Sequence, residues 1–463
     1  MARRRHKARI IQAHVAPEAA PPPSLLDEVA PLIRFEREVE EEFRPAMRAR
    51  LVEKIQCFDG EQRGKAPRCA ICKRAMESRG RRRAPSLLTR FGELLLTSTV
   101  YRCKPCKQQV RPLWQRLGVE AGRVSGSLAR LLALLGVVVP YEMAAKLCLL
   151  FFGVEVSPMA VWRSVQRLGD ACAAYNEEQA RFFADARSNP PTDGAFPLAV
   201  LLGIDGSALG MQVRSTRRRR SGDEVLPPLP PVEDGHFREV KTAVLLRPDE
   251  RVEPSPGRRS VLRRVLVTCL GDADRVFDHI WAKLCELRWL GPDTVMVIVG
   301  DGAEWIWNRA AMFPRRCEIL DFWHAVEKAW EFARPRYGEG SSLATEFAHR
   351  IAEDLRAGRV DDVIARLTRL RPAADHQERL AALIKYYTDH RHRMRYDEYL
   401  RLGYGIGSGA VESSHKQVVQ ARMRQAGMRW SEAGARRLLA LRVLLLNDDW
   451  PLLDRLAMKP MAA

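Results

Sequence analysis

The 463-residue sequence has no uninterrupted apolar run of about 20 residues, the length a helix needs to cross a bilayer. The basic opening MARRRHKARIIQAH lacks the apolar segment of a secretory signal, so none is expected. A cytoplasmic protein with no membrane partner is expected. Acidic residues are in deficit, 57 against 76 Lys and Arg, which leaves a net charge of +19. Lysine is scarce among the cations: only 13 are present, so 63 are arginine, the side chain suited to bidentate phosphate contact. Such a composition is the electrostatic footprint of a polyanion partner, although solvated surface charge accounts for it as well.

Without export, the 10 cysteines fit disulfides poorly. Four of them form two C-x2-C knuckles, CAIC (Cys69, Cys72) and CKPC (Cys103, Cys106), the arrangement of a tetrahedral all-cysteine Zn²⁺ site. Between the knuckles SLLTRFGELLLTSTVYR reads as two strands turning at Gly92, so 65–115 is read as a zinc ribbon. Ahead of it, 1–24 has the composition of a disordered basic arm, and 25–64 that of an exposed amphipathic helical segment.

Residues 116–185 are helical in pattern. One helix ends at Gly153, and a second opens with Ser157 as N-cap and Pro158 at its first position. Val161, Val165 and Leu168 make an apolar face and leave Arg163 and Arg167 together on another. This suits a helix-turn-helix module whose second helix enters a DNA groove; a plain helical hairpin has the same signature.

From 195 the pattern changes to buried strands, PLAVLLGID, VKTAVLL, RVLVTCLGD and TVMVIVGD, alternating with helix. Such runs imply a sheet covered on both faces, here assigned to 195–325 and 403–450. An Arg/Pro/Gly-rich insert at 215–235 reads as a loop, 326–402 as an Arg-rich helical region, and 451–463 as a tail. The overall class is multidomain α+β.

Asp205 and Asp301 each end an apolar run and precede glycine, which places both at strand ends on one sheet edge. Asp-Gly is also ordinary turn chemistry. Two carboxylates side by side repel unless a cation such as Mg²⁺ or Mn²⁺ sits between them. A third acid, Glu412, follows Gly403, Gly405, Gly407 and Gly409 and falls in the first turn of a helix. Lys416 lies one turn further, and Arg422 and Arg424 beyond it can reach DNA phosphates. In DFWHA, Asp321 and His324 have the spacing of a helix N-cap pair.

The motifs D-G (205), D-G-A-x-W-I-W (301–307), D-x-x-H-A (321–325), G-x-G-S-G-x-V-E-S (405–413) and R-x-R-x-x-G-M-x-W (422–430) occur in that order. In this the chain resembles the DDE transposases of bacterial insertion sequences, above all the ISKra-type family, with kinship to Mutator-like transposases. The resemblance covers roughly 65–463. It implies an RNase H-like catalytic domain with an all-helical insertion before the last acid, and metal-dependent cleavage and strand transfer of double-stranded DNA. It also implies a catalytic triad of Asp205, Asp301 and Glu412, supporting roles for Asp321, His324 and Lys416, a nucleoid location, and a homodimer or higher oligomer on DNA. The insert at 215–235 departs from the family in length. A nuclease without strand transfer, or a transposase-derived DNA-binding protein, are the alternatives.

Overall fold

A computed structural model describes residues 31–61, 66–119, 123–184, 193–212, 236–255, 258–261 and 263–458. The arm at 1–24, the insert at 215–235 and residues 459–463 lie outside the described residues. The chain divides into two compact units, Met1–Ser86 with Phe91–Leu113, and Leu87–Arg90 with Trp114–Ala463. No helix among the described residues is long and apolar enough to cross a membrane.

In the first unit, α1 (Pro31–Glu61) precedes β1 (Glu77–Arg83). After β2 (Leu87–Thr89), which belongs to the second unit, come β3 (Gly92–Leu94), β4 (Thr97–Arg102) and β5 (Gln109–Val110). The ribbon is a three-stranded sheet ordered β1-β4-β5. The expected two strands turning at Gly92 are present as the short pair β2-β3, three residues each, but the pairing that joins the knuckles is β1 with β4, with Glu77 opposite Arg102. Strand β1, ESRGRRR, has no apolar alternation because every residue in it is exposed.

In the second unit, the short α2 (Pro112–Arg116), which begins in the first, leads to α3 (Gly126–Val138), α4 (Tyr141–Phe152) and α5 (Pro158–Ala184). Gly153 ends α4 in the left-handed conformation with φ 60°, as a glycine C-cap does. The Ser157 hydroxyl accepts from Ala160 N at 3.2 Å, and Val161, Val165 and Leu168 are buried.

The main sheet follows: β6 (Ala199–Gly210), β7 (Phe237–Leu246), a small hairpin of β8 (Arg251–Ser255) and β9 (Arg258–Val261), then β10 (Arg264–Leu270). Next are α6 (Ala273–Glu286), β11 (Val295–Gly300), α7 (Glu304–Ala310) and β12 (Arg316–Leu320). The spatial order is β10-β7-β6-β11-β12. The first three strands form an antiparallel meander, and β11 is parallel to both β6 and β12.

Helices α8 (Phe322–Tyr337), α9 (Ser342–Arg356), α10 (Val360–Arg369), α11 (Ala374–His390) and α12 (Tyr396–Arg401) come before α13 (Gly409–His415). A π-helical turn, Lys416–Gln420, then leads to α14 (Ala421–Met423), α15 (Glu432–Leu446) and α16 (Trp450–Met458). One continuous apolar core joins the sheet to α6, α8, α11, α15 and the buried face of α5.

Candidate active site

Strands β6 and β11 run parallel with Gly203 opposite Val299. Continuing that register by two residues sets Asp205 beside Asp301, on strands about 4.8 Å apart. The expectation of two strand ends is half met. Asp301 directly follows β11, but Asp205 lies inside β6, which pairs with β7 through Gly210. An antiparallel neighbour on the other side carries β6 past the point where its parallel pairing stops. Asp205 Oδ1 accepts from Gly206 N at 2.6 Å, and Asp301 Oδ1 accepts from Ala303 N at 3.0 Å. Burial raises the Asp205 pKa above its ordinary value, and the Asp301 charge adds to the rise.

Gly302 follows Asp301 at φ +101°, and a Cβ there would meet Tyr386 Oη at 3.1 Å and His390 Nε2 at 3.2 Å. Both belong to α11, and the Tyr386 hydroxyl donates to Asp301 O at 3.0 Å. The helical region thus rests on the Asp301 turn, where a side chain would be both strained and crowded.

Asp321, fully buried between β12 and α8, links the sheet to the segment that carries Glu412. Its amide donates to Gly300 O at 2.7 Å, and its carboxylate accepts from His324 N at 2.9 Å, the N-cap bond of α8. Its other oxygen accepts from Ser408 N. Phe322 N donates to Ile406 O at 2.9 Å, tying down the same loop. Gly407 lies against Trp323, where a Cβ would come within 3.2 Å of the indole. The Ser408 hydroxyl then donates to Glu412 Oε1 at 3.0 Å. Burial opposes ionisation of Asp321, yet hydrogen bonds from His324 and Ser408 hold its pKa below the ordinary value. His324 Nδ1 is 3.5 Å from Asp321 Oδ1, and that pairing lifts its pKa to about 9.

Helix α13 lies on the face of β6 that carries Gly203 and Asp205. Val411 packs over Gly203 of β6, 3.6 Å from where a Cβ would stand. From this helix Glu412 lines an open cleft of ≈ 360 Å³ with Trp323, His324, Glu327 and Trp330. Glu327 of α8 thus shares the cleft with Glu412. Glu318 is neutralised by Arg316 and Arg393 at 2.7 and 2.8 Å, and Glu304 opens α7. Sequence reasoning missed His415. It is 4% exposed, and its Nε2 stands 3.6 Å from Asp205 Oδ2. The available signal was a histidine three residues after Glu412, on the side of the helix that Val411 buries.

Lys416 starts the π turn and is exposed. Arg424 Nη1 donates to Ser207 Oγ at 3.3 Å, two residues beyond Asp205 on β6. Arg422 corrects the expectation of a DNA contact. It is 1% exposed, donates to Gly136 O at 3.0 Å, and lies over the Tyr141 and Trp430 rings at 5.0 and 5.5 Å. A side chain enclosed by its own helices cannot reach a phosphate. Arg163 is exposed on α5, and Arg167 is half-buried.

The Sγ atoms of Cys69, Cys72, Cys103 and Cys106 all lie within 4.8 Å of one another, a set that could hold a metal ion. Among the described residues no other group of three or more His, Cys, Asp or Glu ligands is as close, so Asp205, Asp301 and Glu412 are less tightly gathered. Both knuckles turn alike: Lys73 and Lys107, each just after a second cysteine, have φ of 58° and 59°. Cys72 N, directed at the Cys69 sulfur, lowers the Cys69 pKa to about 7. Crowding by the other sulfurs, Cys72 foremost, raises Cys106 to about 12. Four such thiols ionise together only around a cation.

No protein-family model and no curated protein matches the sequence. Among solved structures the chain is similar to the Drosophila P element transposase strand transfer complex, at 11% identity and a TM-score of 0.24, over 74% of this chain and 84% of that one. So low a score does not establish a common fold.

Proposed function

We propose that the chain is a DDE transposase that binds the ends of an insertion sequence, cuts them and joins them to target DNA. Its catalytic domain is RNase H-like, interrupted by a helical insertion over 326–402. The observation that carries this reading is the register of β6 and β11, which, continued two residues, brings Asp205 level with Asp301, with α13, the helix of Glu412 and His415, packed over β6. The strand order β10-β7-β6-β11-β12, an antiparallel meander followed by two parallel strands, supports it.

The donor set fits a hard divalent cation: oxygen ligands, one with a raised pKa, and a buried imidazole aimed at it. Asp205, Asp301 and Glu412 would hold Mg²⁺ or Mn²⁺, which when bound activates the attacking oxygen and stabilises the leaving one in phosphoryl transfer. The chain's own residues arrange the substrate. Asp321 holds Ser408, and Ser408 orients the Glu412 carboxylate. Arg424, on the Ser207 side of Asp205, suits a scissile-strand phosphate. His324, protonated at neutral pH, places a second positive charge by the cleft. Zn²⁺ at the four cysteines builds the ribbon, whose exposed arginines on β1 add phosphate contacts.

The test is Mg²⁺-dependent nicking and joining of DNA taken from the sequences that flank the gene. Asp205→Asn, Asp301→Asn and Glu412→Gln should each lose both steps while retaining DNA binding. Full activity in Glu412→Gln with a dead Glu327→Gln would transfer the third role to Glu327. Nicking without joining would make the protein a nuclease.

A further inference from the structure

We propose that His415 is a positioning residue for the cation site. Its ring restrains Asp205 Oδ2 through Nε2–H as Gly206 N restrains Oδ1, which holds the carboxylate in place while its remaining lone pairs and Asp301 bind metal. This rests on the reading of Asp205 and Asp301 as metal ligands. Both ring nitrogens of His415 are sealed from solvent, and neither has a hydrogen-bond partner. A buried polar ring left without a partner costs free energy, so its place needs a reason. The polar atoms facing it belong to Asp205: Oδ2 at 3.6 Å and the main-chain oxygen. Glu239 and Arg424 complete the charged surroundings. Gly206 N already holds Asp205 Oδ1 at 2.6 Å, so closing the Nε2···Oδ2 gap by a few tenths of an ångström would restrain both oxygens.

The backbone after His415 is anchored. Across the π turn Lys416–Gln420 the buried face continues from Val411, Ser414 and His415 to Val418, Val419 and Met423. Main-chain oxygens along this turn are taken by the buried Arg442, whose guanidinium donates to Val418 O at 2.6 Å and to Gln417 O. A third bond from the same group reaches Val137 O at 2.6 Å.

The experiment measures Mn²⁺ binding to zinc-loaded protein in the absence of DNA, by titration calorimetry and electron paramagnetic resonance. His415→Phe keeps the ring shape but has no donor, and His415→Gln places an amide N–H near the Nε2 position. Affinity should fall about 10–100-fold in the Phe variant, as for other outer-sphere partners, and recover to within a few-fold in Gln. Wild-type affinity in His415→Phe, with binding lost in Asp205→Asn, would leave His415 as packing alone. Unchanged binding in both variants would remove the metal reading of the aspartates as well. A nitrogen hyperfine coupling to Mn²⁺ that both His415 variants abolish would make His415 a ligand and overturn its role as a positioning group.

Discussion

Asp321→Asn isolates the group on which the geometry of the third acid depends. The wild-type carboxylate is fully buried and accepts two main-chain N–H bonds, from His324 and Ser408. Asparagine retains one acceptor and presents an NH₂ to the other donor. One buried main-chain N–H is then unsatisfied, at about 1–3 kcal/mol, and a charge-assisted bond becomes neutral, for about 1 kcal/mol more. A loss of about 2–4 kcal/mol is expected. The pH dependence gives the sign. His324 has a folded pKa of about 9 against an ordinary 6.5, so its pairing stabilises fully below 6.5 and the contribution disappears as pH rises through 9. Asp321 has a lowered pKa, so its contribution is present above 3.8 and is lost as pH falls through the folded value. The stability gap between wild type and variant should therefore be widest near pH 5–6 and narrow above about pH 9. Urea unfolding followed by tryptophan fluorescence at both pH values measures it. A gap under about 0.5 kcal/mol, or one independent of pH, would refute the linkage between the α8 cap and the Glu412 loop.

Metal analysis of purified protein should give about one zinc per chain, absent in Cys103→Ser; iron with sulfide, or no metal, would contradict the assignment. Charge reversal at Arg163 and Arg167 should weaken binding to element ends more than to random duplex, whereas equal loss on both would mean that α5 reads no bases. Arg424→Ala should weaken DNA binding and reduce its salt dependence while leaving thermal stability unchanged. Arg422→Met should do the reverse, destabilising the fold by about 1–3 kcal/mol for the Gly136 carbonyl it abandons, with the salt dependence of DNA binding unchanged.

The parts legible in the sequence were those written as local period or spacing. Two C-x2-C pairs, the apolar repeat of Val161, Val165 and Leu168, and the Val/Leu/Ile runs of β6, β7, β10 and β11 each state a geometric requirement within a few residues. The Asp321–His324 cap was readable for the same reason, since an N-cap side chain meets the amide three residues on. Strand β1 carried no such signal: fully exposed on a sheet edge, it owes its conformation to backbone pairing with β4. Arg422 and His415 were misread or missed because charge and polarity in a sequence default to the surface. Arg422 is enclosed because carbonyl and aromatic partners come from α3 and α4, remote in sequence, and from Trp430.

The two Asp-Gly pairs show why the site itself was only partly readable. After Asp301, glycine is required by backbone shape: φ is +101°, the chain turns out of the sheet, and α11 closes over it. After Asp205, glycine is required by space within a continuing strand. A Cβ on Gly206 would collide with the Glu239 carboxylate, which is paired with the buried Lys241, itself 4.5 Å above the Trp305 ring. One dipeptide thus serves a turn in one strand and a crowded cross-strand neighbour in the other, and no local pattern separates the two. What makes them a pair is the parallel register of β6 and β11, fixed by buried side chains on both faces. The candidate site belongs to the sheet, and the Asp-Gly motifs acquire their meaning from it.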